Sequence, residues 1–215
     1  MQPSFLIENN FDTHLVCGID EAGRGPLAGP VVACCIILDR SQNFTGINDS
    51  KKLTKKIRQQ FFADLINHHQ YGIGVVSNQV IDQINILEAT KLAMFQAYQN
   101  LHQKYQVFPE VILVDGNFQP FKATDKIIEI KPIVKGDQQS LSIACASIIA
   151  KEYRDKLMED YHQQFPEYGF NRHSGYGTKI HIDAIKKYGI KSIHRQTFEP
   201  IKSILKNNFL SYENN

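Results

Sequence analysis

Short apolar runs alternate with longer amphipathic segments along this chain. Runs rich in β-branched residues predict five strands, at 15–20, 30–38, 71–77, 110–115 and 127–133. Apolar positions at helical spacing predict helices at 54–69, from a cap at Asn85 to about Tyr105, from about Gln139 to Gln164, and from Thr178 onward. Strands in succession, followed by alternating strands and helices, indicate an α/β domain with a mixed sheet.

Acidic residues stand where several of the predicted strands end. Asp20 and Glu21 follow the first run, Asp115 ends another, and Asp137 comes shortly after the last. An isolated acidic pair is commonly a solvated turn or a helix cap. Acids that end several strands can instead meet at one edge of a sheet, which is how oxygen-ligated Mg²⁺ or Mn²⁺ sites are built. The repeated pattern therefore favours metal chemistry.

The charge is unevenly distributed along the chain. The net charge is +2, but residues 48–58 and 171–206 together hold 13 of the 24 Lys and Arg residues and only 3 of the 22 acids. Two basic surfaces flanking an acidic centre would suit an enzyme that grips a polyanion. The alternative for each run is a solvated helix face.

Length and cysteine usage restrict the class of protein. A chain of 215 residues without an obvious linker is expected to form one domain. The four cysteines lie in apolar surroundings without C-x-x-C spacing, which indicates small buried side chains in a reducing compartment. With neither a signal-like N-terminus nor an apolar run of spanning length, we expect a soluble, cytoplasmic protein that does not bind membranes.

A glycine-rich turn follows the first acids, and in combination with later segments it is specific. The turn fits neither a dinucleotide fingerprint nor a P-loop. It resembles the opening motif of bacterial ribonuclease HII, and further segments match that family in order from about residue 14 to Pro200. The matching segments are Gly18-Ile19-Asp20-Glu21-Ala22-Gly23-Arg24-Gly25-Pro26, Asp49-Ser50-Lys51-Lys52-Leu53, Val114-Asp115-Gly116, Lys135-Gly136-Asp137, Ala146-Ser147-Ile148-Ile149-Ala150-Lys151 with Arg154-Asp155, and Gly175-Tyr176-Gly177-Thr178 leading to His194-Arg195.

The resemblance implies a fold and a catalytic centre. The fold would be an RNase H-like mixed five-stranded sheet flanked by helices, within a single catalytic domain over 1–215 whose core is about 14–200. A C-terminal helical segment, about 171–206, would bind substrate. Ala22 and Arg24 fit ribonuclease HII better than its sister family, ribonuclease HIII. The family's catalytic acids map onto Asp20, Glu21, Asp115 and Asp137.

The reaction implied is metal-dependent hydrolysis of a phosphodiester. Two ions, Mg²⁺ or Mn²⁺, would lie roughly 4 Å apart. Asp20, Glu21 and Asp115 are the expected metal ligands, and Asp137 is expected to approach with substrate. The substrates would be the RNA strand of RNA–DNA hybrids and ribonucleotides embedded in duplex DNA, cut on their 5′ side to leave 5′-phosphate and 3′-hydroxyl ends.

The resemblance also assigns substrate contacts. The backbone of Gly23, Arg24 and Gly25 would read the 2′-hydroxyl, and Tyr176 would stack on the deoxyribose after the ribonucleotide. Phosphate contacts are expected from Lys51, Lys151 and Arg154, although exposed lysines are often merely solvated. His173, His181 and His194 lack zinc-site spacing, so we interpret them as surface or hydrogen-bonding residues.

Two other functions remain as alternatives. One is another nuclease or recombinase with a carboxylate cluster, which the Gly-Arg-Gly turn and Tyr176 disfavour. The other is a nucleic-acid binding module without catalysis, which the presence of all four acids disfavours. We expect a monomer whose partner is nucleic acid.

Overall fold

The computed structural model describes residues 2–123 and 129–213. The strands are β1 (Val16–Ala22), β2 (Val31–Ile37), β3 (Gln70–Val76), β4 (Val111–Asp115) and β5 (Glu129–Ile133). The helices are α1 (Lys55–His68), α2 (Asn78–Tyr105), α3 (Leu141–Gln164), α4 (Phe170–His173), α5 (Lys179–Tyr188) and α6 (Ile201–Glu213).

The strands form one mixed sheet, as the sequence pattern predicted, and the structure gives their order as β3-β2-β1-β4-β5. β1 is antiparallel to β2, which is antiparallel to β3, whereas β1, β4 and β5 run parallel to one another. The predicted strand boundaries agree within a few residues. The start of the predicted fifth strand, at 127–128, lies outside the described residues.

Helix α2 differs from the prediction at its beginning. The helix starts at Asn78 and is capped by Ser77. The part of it that precedes Asn85 was not predicted from the sequence. Asn85 interrupts it with φ 66° and ψ 167°. The Asn85 Oδ1 accepts hydrogen bonds from the backbone N–H groups of Leu87 (2.9 Å) and Glu88 (3.2 Å). The predicted cap therefore exists, but it restarts a helix at a kink rather than beginning one.

Helices cover both faces of the sheet. Ile19 belongs to the apolar cluster that includes α2 residues such as Met94. Because side chains alternate along a strand, Gly18 and Asp20 lie on the other face, which α3 covers. A Cβ at Gly18 would stand 2.2 Å from the carbonyl carbon of Ser142, so the glycine allows α3 to pack directly on β1. Asp20 is thereby placed beside α3.

The strand register brings the acids to one edge. Ile19 pairs with Val114, so Asp20 and Asp115 are the next residues on two adjacent parallel strands. Asp115 in turn pairs with Ile133 of β5, the strand that leads to Asp137. The carboxyl ends of β1, β4 and β5 therefore meet, as the sequence predicted.

The C-terminal helices form a separate apolar cluster against the end of α3. Tyr168, Phe170, Ile185 and Ile201 pack there with Leu27 from the glycine-rich turn region. The N–H of Leu27 donates to the carbonyl of Gly175 at 2.8 Å, so this cluster fixes the C-terminal segment beside the turn.

Candidate active site

A cavity of about 330 Å³ opens at the edge of the sheet where the acids meet. It is lined by residues from β1, the glycine-rich turn, β4, α3 and two loops: Asp20, Glu21, Ala22, Gly23, Arg24, Gly25, Ser50, Lys51, Asp115, Ser147, Lys151, Arg154 and Tyr176. Most of the residues predicted for the site therefore surround one space.

Each acid in the cavity has a partner within the protein. Asp20 Oδ1 accepts the N–H of Glu21 at 2.7 Å. Asp115 Oδ1 accepts the N–H of Gly136 at 2.7 Å, and Glu21 Oε1 lies 3.3 Å from the guanidinium of Arg24. Each of the three carboxylates around the cavity is therefore held by a different group of the protein.

Burial raises the pKa of Asp20 and of Glu21. Asp20 is 5% exposed, and desolvation followed by the charges of Glu21 and Asp115 raises its pKa well above its ordinary value. The pKa of Glu21 is raised by burial, which outweighs the opposing effect of Arg24, and Asp115 raises it further. Burial and mutual repulsion therefore both disfavour the charged forms of Asp20 and Glu21.

The residues fit a divalent cation. Glu21 Oε2 is buried and has no hydrogen-bond partner among the residues that the structure describes. An orphaned carboxylate oxygen beside the buried Asp20 and the half-buried Asp115 is a hard, anionic donor set of the kind that Mg²⁺ and Mn²⁺ prefer. Over the described ranges, no three His, Cys, Asp or Glu side chains are grouped closely enough to hold an ion without adjustment.

Asp137 is buried close enough to Asp115 for the two charges to interact. It is buried in the short 3₁₀ turn Gly136–Gln138, and the preceding Gly136 contacts Asp115 directly. Burial, then the charges of Asp115 and Asp49, raise the pKa of Asp137, with Lys51 opposing them. It is not among the residues that line the cavity. Its part in the metal site stays a prediction.

Asp49 and Ser50 are polar residues at the site that were not predicted from the sequence. Asp49 is 5% exposed and accepts a hydrogen bond from Gln138 at 3.5 Å. Ser50 Oγ lies 3.0 Å from Ser147 Oγ, and Ser147 in turn hydrogen-bonds Asp20. Both residues stand directly before Lys51 in a segment that matches the family. That match could have identified them as site residues.

Two buried arginines hold the carbonyl groups of the glycine-rich turn. Arg195 is completely buried and donates to the carbonyls of Arg24 (2.8 Å), Gly29 (2.9 Å) and Gly23. Desolvation lowers the pKa of Arg195 to about 9, so it remains charged at neutral pH. The buried guanidinium of Arg195 therefore fixes the backbone of the turn.

Arg154 lines the cavity, but its guanidinium also binds the protein itself. We expected it to contact substrate phosphates, but it is 1% exposed and its guanidinium donates to the carbonyls of Pro30 (2.9 Å), Ser174 (2.9 Å) and Ala28 (3.1 Å). Three of its five N–H groups donate to carbonyls of the protein. Arg154 joins the glycine-rich turn to the segment that precedes Tyr176.

The two predicted lysines do reach the cavity. The ammonium of Lys151 contacts Asp155, whose Oδ1 also accepts the hydroxyl of Ser174 at 2.8 Å. Burial lowers the pKa of Lys51, but the charges of Asp137 and Asp49 outweigh this and raise it overall. Both lysines place positive charge beside the acids.

The predicted basic surfaces are smaller than the sequence suggested. Arg58 and Arg195 belong to the two basic runs, yet both are buried. Arg58 forms a buried ion pair with Glu152 and donates to the carbonyl of Ser50 at 3.3 Å. These two cations stabilise the fold and do not contribute to a basic surface.

Tyr176 and the histidines differ sharply in exposure. Tyr176 is 48% exposed at the cavity. Of the two interpretations of His173, His181 and His194, surface or hydrogen-bonding residues, the second is confirmed, because all three are buried and hydrogen-bonded.

Comparison with known proteins agrees with this architecture. The family model described as Ribonuclease HII matches residues 17–201. Ribonuclease HII of Chlamydia pneumoniae is 51% identical over 195 residues, which are 90% of this chain and 87% of that protein. The ribonuclease H2 structure from Pyrococcus horikoshii OT3 gives a TM-score of 0.71 at 27% identity, covering 89% of this chain and 97% of that one. Bst-RNase HIII shares the fold, with a TM-score of 0.72 at 19% identity over 89% of this chain and 69% of that chain.

The mixed five-stranded sheet and its flanking helices are those of ribonuclease H-type proteins. Within that class, the chain belongs to the ribonuclease HII family. It is a ribonuclease H hydrolase that acts on RNA–DNA hybrids. Across residues 2–123 and 129–213, no helix is long and apolar enough to cross a membrane.

Proposed function

We propose that this enzyme hydrolyses the RNA strand of hybrids and also cleaves on the 5′ side of ribonucleotides embedded in duplex DNA. Water adds at phosphorus and the bond to the 3′-oxygen breaks, leaving 3′-hydroxyl and 5′-phosphate ends. The observation that carries the proposal is the single cavity shared by Asp20, Glu21 and Asp115, the glycine-rich turn and Tyr176. Carboxylates for hydrolysis thus lie beside groups suited to reading a sugar.

Two divalent ions, Mg²⁺ or Mn²⁺, are part of this proposal. Asp20, Glu21 and Asp115 would hold them, and Asp137 would join when substrate binds. The orphaned Oε2 of Glu21 supports the assignment. Bst-RNase HIII has been solved in complex with Mn²⁺. Bound ions would supply Lewis acidity at the scissile phosphodiester.

The glycine-rich turn would recognise the ribose. Arg195 and Arg154 hold carbonyls of this region toward the protein interior. Backbone donors of Gly23, Arg24 and Gly25 are then the groups that the turn offers to a 2′-hydroxyl, the feature that separates RNA from DNA. A fixed backbone suits this task because it cannot rearrange to fit a deoxyribose equally well.

The lysines would bind the substrate backbone. Lys151 is held at the cavity by Asp155, and Lys51 lies there beside the acids. Both are placed to contact phosphates next to the cleaved bond, and they offset repulsion between the polyanion and the carboxylates. Arg154 would contribute indirectly, through the turn that it supports.

Tyr176 would recognise the junction from RNA to DNA. Its exposed ring lies beside Gly25, where it can stack on the sugar that follows the ribonucleotide. We further propose that residues 1–215 act as one catalytic domain, with a core of about 14–200, and that the protein works as a cytoplasmic monomer on nucleic acid.

A cleavage assay tests the proposal. An end-labelled duplex with one embedded ribonucleotide is incubated with and without Mg²⁺, beside an all-DNA duplex and a uniform RNA–DNA hybrid. We expect one metal-dependent cut on the 5′ side of the ribonucleotide and no cut in the all-DNA duplex. Asp20→Asn is the inactive control. Cleavage of all-DNA, or binding without cleavage in Mg²⁺ and in Mn²⁺, would contradict the proposal and support the nuclease or binding-module alternatives.

A further inference from the structure

Three histidines are buried together behind the segment that carries Tyr176. His173 and His181 stack with ring centroids 4.8 Å apart and an interplanar angle of 15°. His181 Nε2 lies 3.1 Å from His194 Nε2, and His181 Nδ1 lies 2.9 Å from the carbonyl oxygen of Tyr176. A continuous line of polar contacts therefore runs from His194 to the backbone of Tyr176.

The partners determine which ring nitrogens carry protons. The N–H of Lys191 donates to His194 Nδ1 at 2.9 Å, which makes that nitrogen an acceptor and places the proton of His194 on Nε2. His194 then donates to His181 Nε2, so the proton of His181 must be on Nδ1. That proton points at the carbonyl of Tyr176.

The opposite assignment is unfavourable. With the proton of His194 on Nδ1, that N–H could reach the carbonyl oxygen of Lys191 at 3.2 Å, but the N–H of Lys191 would lose its acceptor at 2.9 Å. His181 would then donate from Nε2, and its bare Nδ1 would face the Tyr176 carbonyl, an acceptor against an acceptor in a buried place. The first pair of tautomers leaves unused only the 3.2 Å approach of His194 Nδ1 to the carbonyl oxygen of Lys191, which already accepts the backbone N–H of His194 at 3.0 Å.

Both rings are neutral in this arrangement. Burial lowers the pKa of His181 and of His194 to about 4. A second proton on His181 would put two N–H groups face to face between the rings. The charge states therefore agree with the hydrogen-bond geometry at neutral pH.

The same network fixes the segment around Tyr176 on both sides. The N–H of Tyr176 donates to the carbonyl of His173 at 2.9 Å, and the N–H of Gly175 donates to His173 Nδ1 at 3.2 Å. Thr178, the cap of α5, also donates its N–H to the Tyr176 carbonyl at 2.8 Å. The backbone of an exposed aromatic residue is thus held by buried groups, which limits where its ring can lie.

We propose that His181 is a positioning residue for Tyr176 and that His194 fixes the tautomer His181 needs for this role. The inference rests on the proposed function of Tyr176 as the reader of the RNA-to-DNA junction. His181 touches no substrate. It acts by holding the tyrosine backbone so that the ring stands ready beside Gly25.

Two substitutions of His181 distinguish a role in positioning Tyr176 from a role in packing alone. An asparagine at 181 places its amide nitrogen near the position of Nδ1 and keeps a donor for the Tyr176 carbonyl. A glutamine places its amide near Nε2, which keeps the contact to His194 and loses that donor. Measurement of kcat/KM on a single-ribonucleotide duplex and on a uniform hybrid gives a ratio for each variant.

We expect His181→Gln to lower this ratio about tenfold, in the direction of Tyr176→Ala, and His181→Asn to stay within about threefold of the original. In a Tyr176→Ala background, His181→Gln should change the ratio no further. Equal ratios for both His181 variants and the unaltered enzyme, while Tyr176→Ala lowers the ratio, would overturn the positioning role alone. An unchanged ratio in Tyr176→Ala would overturn the junction-reading function and this inference with it.

A measurement on the unaltered protein guards against variants that fail to fold. Nitrogen-15 NMR of histidine-labelled enzyme at pH 7 reports the tautomer of each ring. We expect His181 protonated on Nδ1 and His194 on Nε2. The reverse tautomers, or a charged His181, would overturn the inference.

Discussion

The ring of Tyr176 lies against Gly25 at the cavity, although the two residues stand near opposite ends of the chain. A Cβ built on Gly25 would lie 3.5 Å from Cε1 of the tyrosine, an ordinary van der Waals distance. Gly23, two residues earlier, is in a different situation, because a Cβ there would lie 2.1 Å from Nε of Arg154. The same turn thus contains a glycine that the fold requires and one that it does not.

Gly25→Ala should therefore fold normally and lose activity. Gly25 is exposed and its φ is not positive, so the free protein can accept a methyl group. If the substrate backbone approaches this glycine closely, we expect kcat/KM on a single-ribonucleotide duplex to fall at least about tenfold, with a melting temperature within about 2 °C of the original. Full activity in a stable Gly25→Ala protein would remove Gly25 from the substrate site.

Gly23→Ala is the matched contrast. Its φ of +100° and the Arg154 contact make a side chain doubly unfavourable. We expect a loss of about 2 kcal/mol or more in the free energy of unfolding, measured by urea denaturation. A stability equal to that of Gly25→Ala would show that the turn adjusts more easily than its contacts indicate.

Asp20→Asn should raise stability in the metal-free protein while it removes activity. A carboxyl whose pKa is raised by folding destabilises the native state above that pKa, and the effect disappears as the pH falls and the group binds a proton. In EDTA, the melting temperature of Asp20→Asn should exceed that of the original at pH 8, with a difference that shrinks toward pH 4.

Turnover gives the second readout for Asp20→Asn. Loss of a metal ligand should lower kcat by at least about a hundredfold at saturating Mg²⁺, because even outer-shell partners of metals contribute 10–100-fold. Binding of the hybrid measured in Ca²⁺ should persist. Turnover within a few-fold of the original would reject Asp20 as a ligand.

Arg154→Lys should reduce stability. The guanidinium serves three carbonyls from different segments, and an ammonium cannot reach all of them. Since each buried carbonyl left unpaired costs about 1–3 kcal/mol, urea denaturation should show a loss of at least about 2 kcal/mol. Lys151→Gln, one helical turn earlier and partly exposed, should change stability by less than about 1 kcal/mol and act mainly on KM. Unchanged stability in Arg154→Lys would restore it as a candidate phosphate ligand.

Lys186 and Lys187 should contribute to electrostatic binding of the duplex. Both are exposed in the last turn of α5, the helix that follows the Tyr176 segment. If both neutralise phosphates, their joint replacement by glutamine should lower the slope of log Kd against log salt, measured in Ca²⁺, by up to about 1.8, at about 0.9 per contact. Replacement of Lys55 and Lys56, an exposed pair in the first turn of α1, is the charge-matched control. Equal slopes for both double variants would show general attraction rather than contact.

The sequence alone indicated much of the fold. Alternation of apolar residues predicted the strands, because a buried strand needs apolar side chains whatever it packs against. It also predicted that Asp20 and Asp115 would meet, since parallel strands bring their carboxyl ends to one edge. The motif match added Tyr176, which no periodicity could have joined to a site at the other end of the chain.

The tertiary structure decided what the polar residues do. The sequence suggested Arg195 and Arg58 as surface charge and Arg154 as a phosphate contact, yet each is buried against a carbonyl or an acid that comes from a distant segment. His181 appears isolated in the sequence, and its role depends on a ring thirteen residues away and on the backbone of Tyr176. Local sequence determines whether a segment forms a strand or a helix. Whether a polar side chain faces water, substrate or a buried partner depends on which distant groups the fold brings within hydrogen-bonding distance.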